Sequence, residues 1–200
     1  MTAQELYLRA LDRVSAVVDA VPAERWDDPT PCPDWSARQL LGHLIDGQHQ
    51  ILTMATGAGA RLPVTDPAAP GSLGGSDPAA AWSEAHRHIT GALTAIAPDT
   101  AVTTPLGTQT LEQLLVIALI EPVVHAWDLA TATGAPADLD TDAVNALLPG
   151  VLALGDQLQT TGMYRAPLSA ACDAPPQDQL LAALGRDPHG PPTAVGDGDM

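Results

Sequence analysis

The chain has 200 residues, of which 46% are hydrophobic, so it is long enough to form one domain with a sizeable core. Its formal net charge is −16, and its eight basic residues are all arginine. A surface this acidic is repelled by phosphate backbones and by anionic lipid, which argues against nucleic-acid and membrane-surface partners.

The first predicted elements are two amphipathic helices joined by a proline-rich loop. Apolar residues at three- and four-residue steps predict a first helix of about 16 to 20 residues that ends before Pro22. The following loop carries Trp26 and Trp35, large side chains that favour an ordered structure. Asp34 and Ser36 are candidates for the N-cap of the second helix.

The middle of the chain predicts a long loop, a third helix and a short extended segment. Residues 57–75 are rich in Gly, Pro and Ala, which is typical of a lid or a disordered insertion. Asp77 followed by proline predicts the start of the third helix, which stops before Pro98. The threonine-rich residues 101–110 predict a small hairpin, although Pro105 favours an edge or a turn.

Residues 111–133 predict the most hydrophobic helix, closed by Gly134. Pro122 lies inside it and removes one backbone hydrogen bond, which predicts a kink near Ala118.

A fifth helix is predicted over residues 141–161, weakened at Pro149-Gly150, and a short one over 177–184. The predicted fold is therefore all-α: a four-helix up-down bundle within residues 1–188, with a small hairpin or extended segment and a short C-terminal extension. Residues 189–200 are predicted to form a disordered tail.

Three residues predict a metal site in this bundle. Glu121 and His125 are four residues apart, so a helix projects them from the same face, and His43 on another helix could complete the set. Two imidazoles and a carboxylate suit a divalent metal such as zinc and leave a coordination position open, as in catalytic sites. Glu121 also lies in an apolar helix, where an unpaired carboxylate is costly.

Each candidate also has a structural interpretation. A single histidine is more often a core or surface residue than a ligand, and a Glu and a His four residues apart occur often by chance. His86 and His88 face different sides of a helix and are interpreted as surface residues, while His49 is poorly spaced to share a metal with His43.

Two aspartates are candidates for residues that orient the ligands. Asp46 lies one turn after His43, and Asp128 follows His125 closely. A simple exposed acid is an equally good interpretation of Asp46. Cys32, between prolines, is interpreted as structural, because Arg38 is the only nearby cation that could activate it.

The location is predicted to be cytoplasmic. The two cysteines, Cys32 and Cys172, do not form a disulfide framework, and the first residues carry acids and arginines where a secretory signal has an apolar run. No stretch is expected to reach the roughly 18 apolar residues of a membrane span.

Three segments resemble a known family. Residues 30–44 (TPCPDWSARQLLGHL) resemble the opening signature of the mycothiol-dependent maleylpyruvate isomerase N-terminal family, within the DinB-like metal-binding superfamily. Residues 121–130 (EPVVHAWDLA) resemble its second signature, and residues 173–188 resemble the closing segment of many actinobacterial members.

The resemblance implies a four-helix bundle that binds a divalent metal, usually zinc, with His43, Glu121 and His125 as ligands and mycothiol as cosubstrate. The isomerase's separate C-terminal domain is not matched, so maleylpyruvate is not the expected substrate.

We therefore predict a zinc-dependent thiol S-transferase or isomerase that acts on a small electrophile. Two alternatives stay open. The first is a metal-binding protein without thiol chemistry, either a hydrolase that uses zinc-bound water or a stress-related binding module. The second is a bundle repurposed in specialised metabolism. The predicted partners are a small-molecule substrate and a thiol, and a homodimer is left open.

Overall fold

The computed structural model describes residues 1–33, 35–57, 70–104, 107–155, 157–160, 164–171 and 173–190. Predictions about Asp34, Cys172 and Pro105, about most of the 57–75 loop and about the end of the C-terminal tail lie outside the described residues.

The described chain is mostly helical and contains one small hairpin. Its longer helices are α1 (Ala3–Ala20), α2 (Ala37–Thr56), α3 (Pro78–Thr94), α4 (Leu111–Ala118), α5 (Ile120–Thr133) and α6 (Thr141–Leu154). Its shorter segments are α7 (Gln157–Thr160), α8 (Pro176–Ala183) and the 3₁₀ turns Ala23–Arg25 and Pro70–Gly74. Strands β1 (Ala101–Thr104) and β2 (Gly107–Thr110) pair antiparallel. The predicted fold class is confirmed.

Local sequence explains where these helices begin. The helices α1, α2 and α4 each start with a capping box, in which a Ser or Thr side chain and a Glu or Gln three residues later satisfy backbone N–H groups reciprocally. Ser36 is the cap of α2, and Asp77 caps α3, as the sequence predicts. Ser36 fixes the start of α2 at Ala37, six residues before His43.

The apolar segment 111–133 forms α4 and α5, which meet at Leu119. This division lies beside the predicted kink, where Pro122 cannot donate a hydrogen bond to the carbonyl of Ala118, and the kink itself stays a prediction. Contrary to the sequence-based expectation, residues 111–133 are long and apolar enough to cross a membrane, with a mean hydropathy of 1.6. Two thirds (67%) of the most apolar 18-residue stretch in this segment is buried within the domain, as in the core helix of a globular protein.

The predicted fifth helix differs from the observed one. Pro149 and Gly150 do not interrupt α6, which continues to Leu154 and ends at Gly155 with φ +48°. The carbonyl that Pro149 leaves without a partner belongs to Asn145, an exposed residue, so water can satisfy it. The helix α8 confirms the predicted short helix near 177–184.

The helix α5 lies at the centre of the domain and is buried along most of its length, with α1 and α2 packed against it. Arg25 ties the C-terminal end of α5 to the start of α2. Its guanidinium donates to the carbonyls of Thr133 (2.8 Å) and Ala132 (3.2 Å) and to the Asp28 carboxylate (2.7 Å). The Asp28 carbonyl in turn accepts from the first amide of α2, that of Ala37, at 2.9 Å.

Candidate metal centre

The structure brings the three predicted ligands together between α2 and α5. The Oε2 atom of Glu121 lies 3.0 Å from Nε2 of His43 and 3.3 Å from Nε2 of His125. The three ligand atoms all lie within 4.8 Å of one another. His43 and Glu121 keep 32% and 41% of their side-chain surface exposed, whereas His125 keeps 10%, so the group is open on one side.

Aromatic packing orients the two imidazoles. Trp35, in the proline-rich loop before α2, lies over His43 with ring centroids 4.4 Å apart. It also meets His125 edge-on at 6.2 Å, and the two imidazoles are themselves perpendicular at 5.2 Å. The indole of Trp35 therefore covers one side of the ligand group.

A buried ion pair lies on the other side of His125. Nδ1 of His125 donates to Oδ2 of Asp128 over 2.8 Å, and Asp128 is fully buried. Arg186 donates two hydrogen bonds to the same carboxylate, from Nε to Oδ1 (3.1 Å) and from Nη2 to Oδ2 (2.8 Å). Asp128 therefore makes the contact expected of a residue that orients a ligand. Asp46, the other candidate, accepts from Nε2 of Gln50 at 2.9 Å, and its role toward His43 stays a prediction.

Cys32 lies in this buried cluster, which the sequence did not predict. Its thiol donates to Oδ2 of Asp128 (3.3 Å) and is 3.9 Å from Nδ1 of His125, and Nη2 of Arg186 donates to its sulfur over 3.5 Å. Arg38, the candidate cation that the sequence offers near Cys32, instead pairs with the carboxylate of Asp27.

Two groups of donors that could hold a metal ion therefore share one imidazole. His43, Glu121 and His125 form the first, and Cys32, His125 and Asp128 form the second. Nε2 of His125 faces the first group and Nδ1 faces the second.

The buried charges shift each other's pKa. Burial alone raises the pKa of Glu121, but hydrogen bonds from His125 and His43 bring it well below its usual value. Burial raises the pKa of Asp128, but the charge of Arg186 and the hydrogen bond from His125 outweigh it and lower the pKa to about 2. Burial lowers the pKa of His125, but hydrogen bonds to Asp128, Cys32 and Glu121 raise it well above the ordinary value. Nδ1 of His125 therefore lies against the carboxylate of Asp128, and Nε2 lies against that of Glu121.

A cavity of about 310 Å³ opens onto the first donor group. Its walls combine the metal-binding side chains with prolines, apolar residues of α5 and the C-terminal segment: Pro31, Cys32, Pro33, Trp35, His43, Ile120, Glu121, Val124, His125, Tyr164, Arg165, Gly185 and Arg186. Its size and mixed lining are typical of a small-molecule site.

The remaining described histidines lie away from this centre, as the sequence predicts. His86 pairs with Asp12 over 3.0 Å on the surface. His49 and His88 line a second cavity, between α2 and α3. His189, near the C-terminus, pairs with Asp178 at 3.2 Å.

Comparison of the chain with known proteins identifies a family and several relatives. The model of the mycothiol maleylpyruvate isomerase N-terminal domain family matches residues 7–130. An uncharacterized Mycobacterium tuberculosis protein is 33% identical over 183 residues, covering 89% of this chain and 94% of the relative. A second uncharacterized M. tuberculosis protein is 42% identical over only 45 residues, or 22% of this chain and 18% of its own.

Among solved structures, the crystal structure of the mycothiol-dependent maleylpyruvate isomerase superposes with a TM-score of 0.58 at 18% identity. The superposition covers 78% of this chain and 70% of the isomerase. A histidine-to-alanine mutant of the isomerase gives a TM-score of 0.57 at 17% identity over the same shares of the two chains. At this identity the likeness shows the fold.

Proposed function

The chain belongs to the mycothiol maleylpyruvate isomerase N-terminal domain family, and we propose that it binds one divalent metal ion at His43, Glu121 and His125 and uses it to activate a small thiol. The observation that carries this proposal is the convergence of two imidazoles and a carboxylate from facing helices on the wall of a ligand-sized cavity.

The donor set fits such an ion. Zinc binds imidazole nitrogen at about 2.0–2.1 Å and carboxylate oxygen at about 2.0–2.2 Å, which places neighbouring ligand atoms roughly 3 to 3.5 Å apart. The distances from Glu121 to His43 and His125, 3.0 and 3.3 Å, match this spacing.

The chain's own residues prepare the site in three ways. Asp128 accepts the Nδ1 proton of His125, which leaves Nε2 as the nitrogen available for a metal. Trp35 covers His43 and restricts its ring. Ile120 and Val124 of α5 add apolar wall that limits water. A bound zinc ion supplies one property that these residues lack, since it lowers the pKa of a coordinating thiol and makes thiolate available at neutral pH.

We propose that the reaction is the addition of a small thiol to an electrophilic double bond of a second small molecule: the C–S bond forms as the π bond opens, and the thiol proton is transferred to the substrate. The product is either an S-conjugate, as in a transferase, or an adduct that rearranges and releases the thiol, as in an isomerase. Mycothiol is the thiol that the family's name supports, and zinc is the metal that the donor types support. The proposal includes small-molecule partners and a cytoplasmic location.

Cobalt substitution tests this function. Co²⁺-loaded protein should develop a sulfur-to-metal charge-transfer band when mycothiol is added at millimolar concentration, because the group leaves a coordination position open. S-methylated mycothiol, which cannot form a thiolate, is the matched control ligand and should give no such band.

The metal-ligand variant Glu121→Ala should lose both cobalt and the band, whereas Glu84→Ala, a carboxylate on the second cavity, should keep them. An unchanged spectrum with mycothiol, with cobalt shown to be bound, would contradict thiol chemistry and favour a hydrolytic or purely binding role.

A further inference from the structure

His125 belongs to two donor groups, one on its Nε2 side and one on its Nδ1 side. Among the described residues, an arginine contacts the donors of the Nδ1 group but not those of the Nε2 group. On the Nε2 side, Glu121 and His43 contact only each other and His125 among the described charged groups. On the Nδ1 side, Cys32 and Asp128 already surround a guanidinium, that of Arg186.

Arg186 takes the place that a metal ion would need in the second group. Its Nη2 atom lies 2.8 Å from Oδ2 of Asp128 and 3.5 Å from the sulfur of Cys32, the two donor atoms that the group contributes besides Nδ1 of His125. Its side chain is only 9% exposed, so the charge is poorly screened by water. A divalent cation among the same donors would be repelled by the guanidinium and would have to displace two charge-assisted hydrogen bonds.

The position of Arg186 is built into the C-terminal segment. The helix α8 ends at Ala183 and is followed by Gly185 in the left-handed conformation (φ +76°), and the Arg186 amide donates to the Leu181 carbonyl at 2.9 Å. A Cβ on Gly185 would lie 2.7 Å from Cβ of Arg165 and 2.9 Å from the Ala166 carbonyl. The chain can therefore turn toward Asp128 only with glycine at this position, and this segment lies beyond residues 7–130 that match the family model.

We propose that Arg186 determines which of the two donor groups takes the metal, by filling the Cys32–His125–Asp128 group with a permanent cation. Metal is thereby directed to His43, Glu121 and His125, and the thiol of Cys32 is kept out of coordination. The inference rests on the proposed function for the location of the metal in the wild-type protein. Arg186 acts as a positioning residue, since it touches Asp128 and Cys32 and not the cavity-facing ligand group.

The test is the cobalt spectrum in the absence of any added thiol, with a phosphine as reductant. Wild-type protein should bind about one Co²⁺ without a thiolate charge-transfer band. Arg186→Met keeps the apolar stem and removes the charge, so this variant should gain the band as Cys32 becomes a ligand. The band should disappear in Arg186→Met combined with Cys32→Ser. Arg186→Lys retains a cation and should behave as wild type.

Arg165→Met is the matched control, because Arg165 lines the same cavity without pairing with Asp128 or Cys32, and it should leave the spectrum unchanged. Folded Arg186→Met that binds cobalt without the band overturns the inference. So does a band in the wild-type protein that Cys32→Ser removes, and this second measurement decides the matter if Arg186→Met does not fold. Wild-type protein that binds no cobalt contradicts the proposed function instead, and a band gained in Arg186→Met would still support the role of Arg186.

Discussion

The cavity at the metal centre and the cavity between α2 and α3 are lined by the same kinds of polar side chain. Each has two histidines, a glutamate and at least one arginine: His43, His125, Glu121 and Arg186 in the first, and His49, His88, Glu84 and Arg87 in the second. The second cavity is the larger, about 770 Å³ against about 310 Å³. Within the described residues, only the first brings three ligand atoms within 4.8 Å of one another.

Burial explains the difference. In the first cavity the donors come from helices that face each other, and an unpaired buried charge costs several kcal/mol, so Glu121 and Arg186 are each paired there. In the second, Glu84 and His88 lie on the exposed face of α3, where water solvates them and nothing requires them to converge. Residue types therefore predict a site only when the helices that carry them turn the side chains inward.

The largest effect is expected on metal affinity, when one histidine in each cavity is replaced in turn by alanine. His125→Ala removes a metal ligand and should lower metal affinity by more than about 100-fold, because even the loss of a partner outside the ligand set costs roughly 10- to 100-fold. His88→Ala, the counterpart in the second cavity, should change affinity less than about twofold. Zinc binding measured by competition with a chromophoric chelator compares the two, and equal affinities would contradict the metal centre.

A smaller effect is expected on stability from exchanging one carboxylate in each cavity. Asp128→Asn leaves the charge of Arg186 buried without its partner and should lower the free energy of unfolding by about 3–5 kcal/mol. Glu84→Gln, on an exposed face, should lower it by less than about 0.5 kcal/mol. Urea unfolding of the metal-free proteins at pH 7 measures both, and a loss below about 1 kcal/mol for Asp128→Asn would mean that the ion pair contributes little.

The same variant checks the sign of the pH dependence. The pKa of Asp128 falls from 3.8 to about 2 on folding, so its ionised form stabilises the fold above pH 4, and this contribution is lost as the pH falls toward 2. The loss should be on the order of 2 kcal/mol. Asp128→Asn should lack this part of the acid destabilisation. If its free energy of unfolding falls between pH 4 and pH 2 as steeply as that of the wild type, the loss of stability belongs to other groups.

The smallest effect should come from the unpaired group in the second cavity. Nδ1 of His49 is buried without a hydrogen-bond partner among the described residues, and burial lowers the pKa of this histidine, which favours the neutral form. His49→Leu should therefore raise the free energy of unfolding by about 1 kcal/mol or less. His86→Leu, which gives up the contact with Asp12 on the surface, should bring no such gain in thermal unfolding experiments. Destabilisation by His49→Leu would indicate that Nδ1 has a partner in solution.

Local patterns in the sequence were sufficient to predict most of the fold. Helix periodicity and the caps at Ser36 and Asp77 predict the observed helices, and Pro122 predicts the break before α5. The metal-ligand group was predictable in the same way, since Glu121 and His125 share a helical face in an apolar segment and burial there demands partners. Metal binding itself stays a prediction.

The buried side of His125 could not be predicted, because its contacts are tertiary. Arg186 lies 58 residues after Asp128 and 154 residues after Cys32, and no periodic pattern relates residues across such separations. The path of the proline-rich loop and the turn at Gly185 decide whether these side chains meet. Pro149 lies inside α6, which continues to Leu154, and the weakening or bend predicted there stays a prediction.

Arg25 has a consequence for the motions of the domain. A single guanidinium binds the last carbonyls of α5 and the Asp28 carboxylate, and the Asp28 carbonyl holds the first amide of α2. Fraying of the end of α5 and release of the segment that leads to Trp35 are therefore linked through one side chain. We expect the two regions to open together, so that their amide protons exchange with solvent at a common free energy of opening.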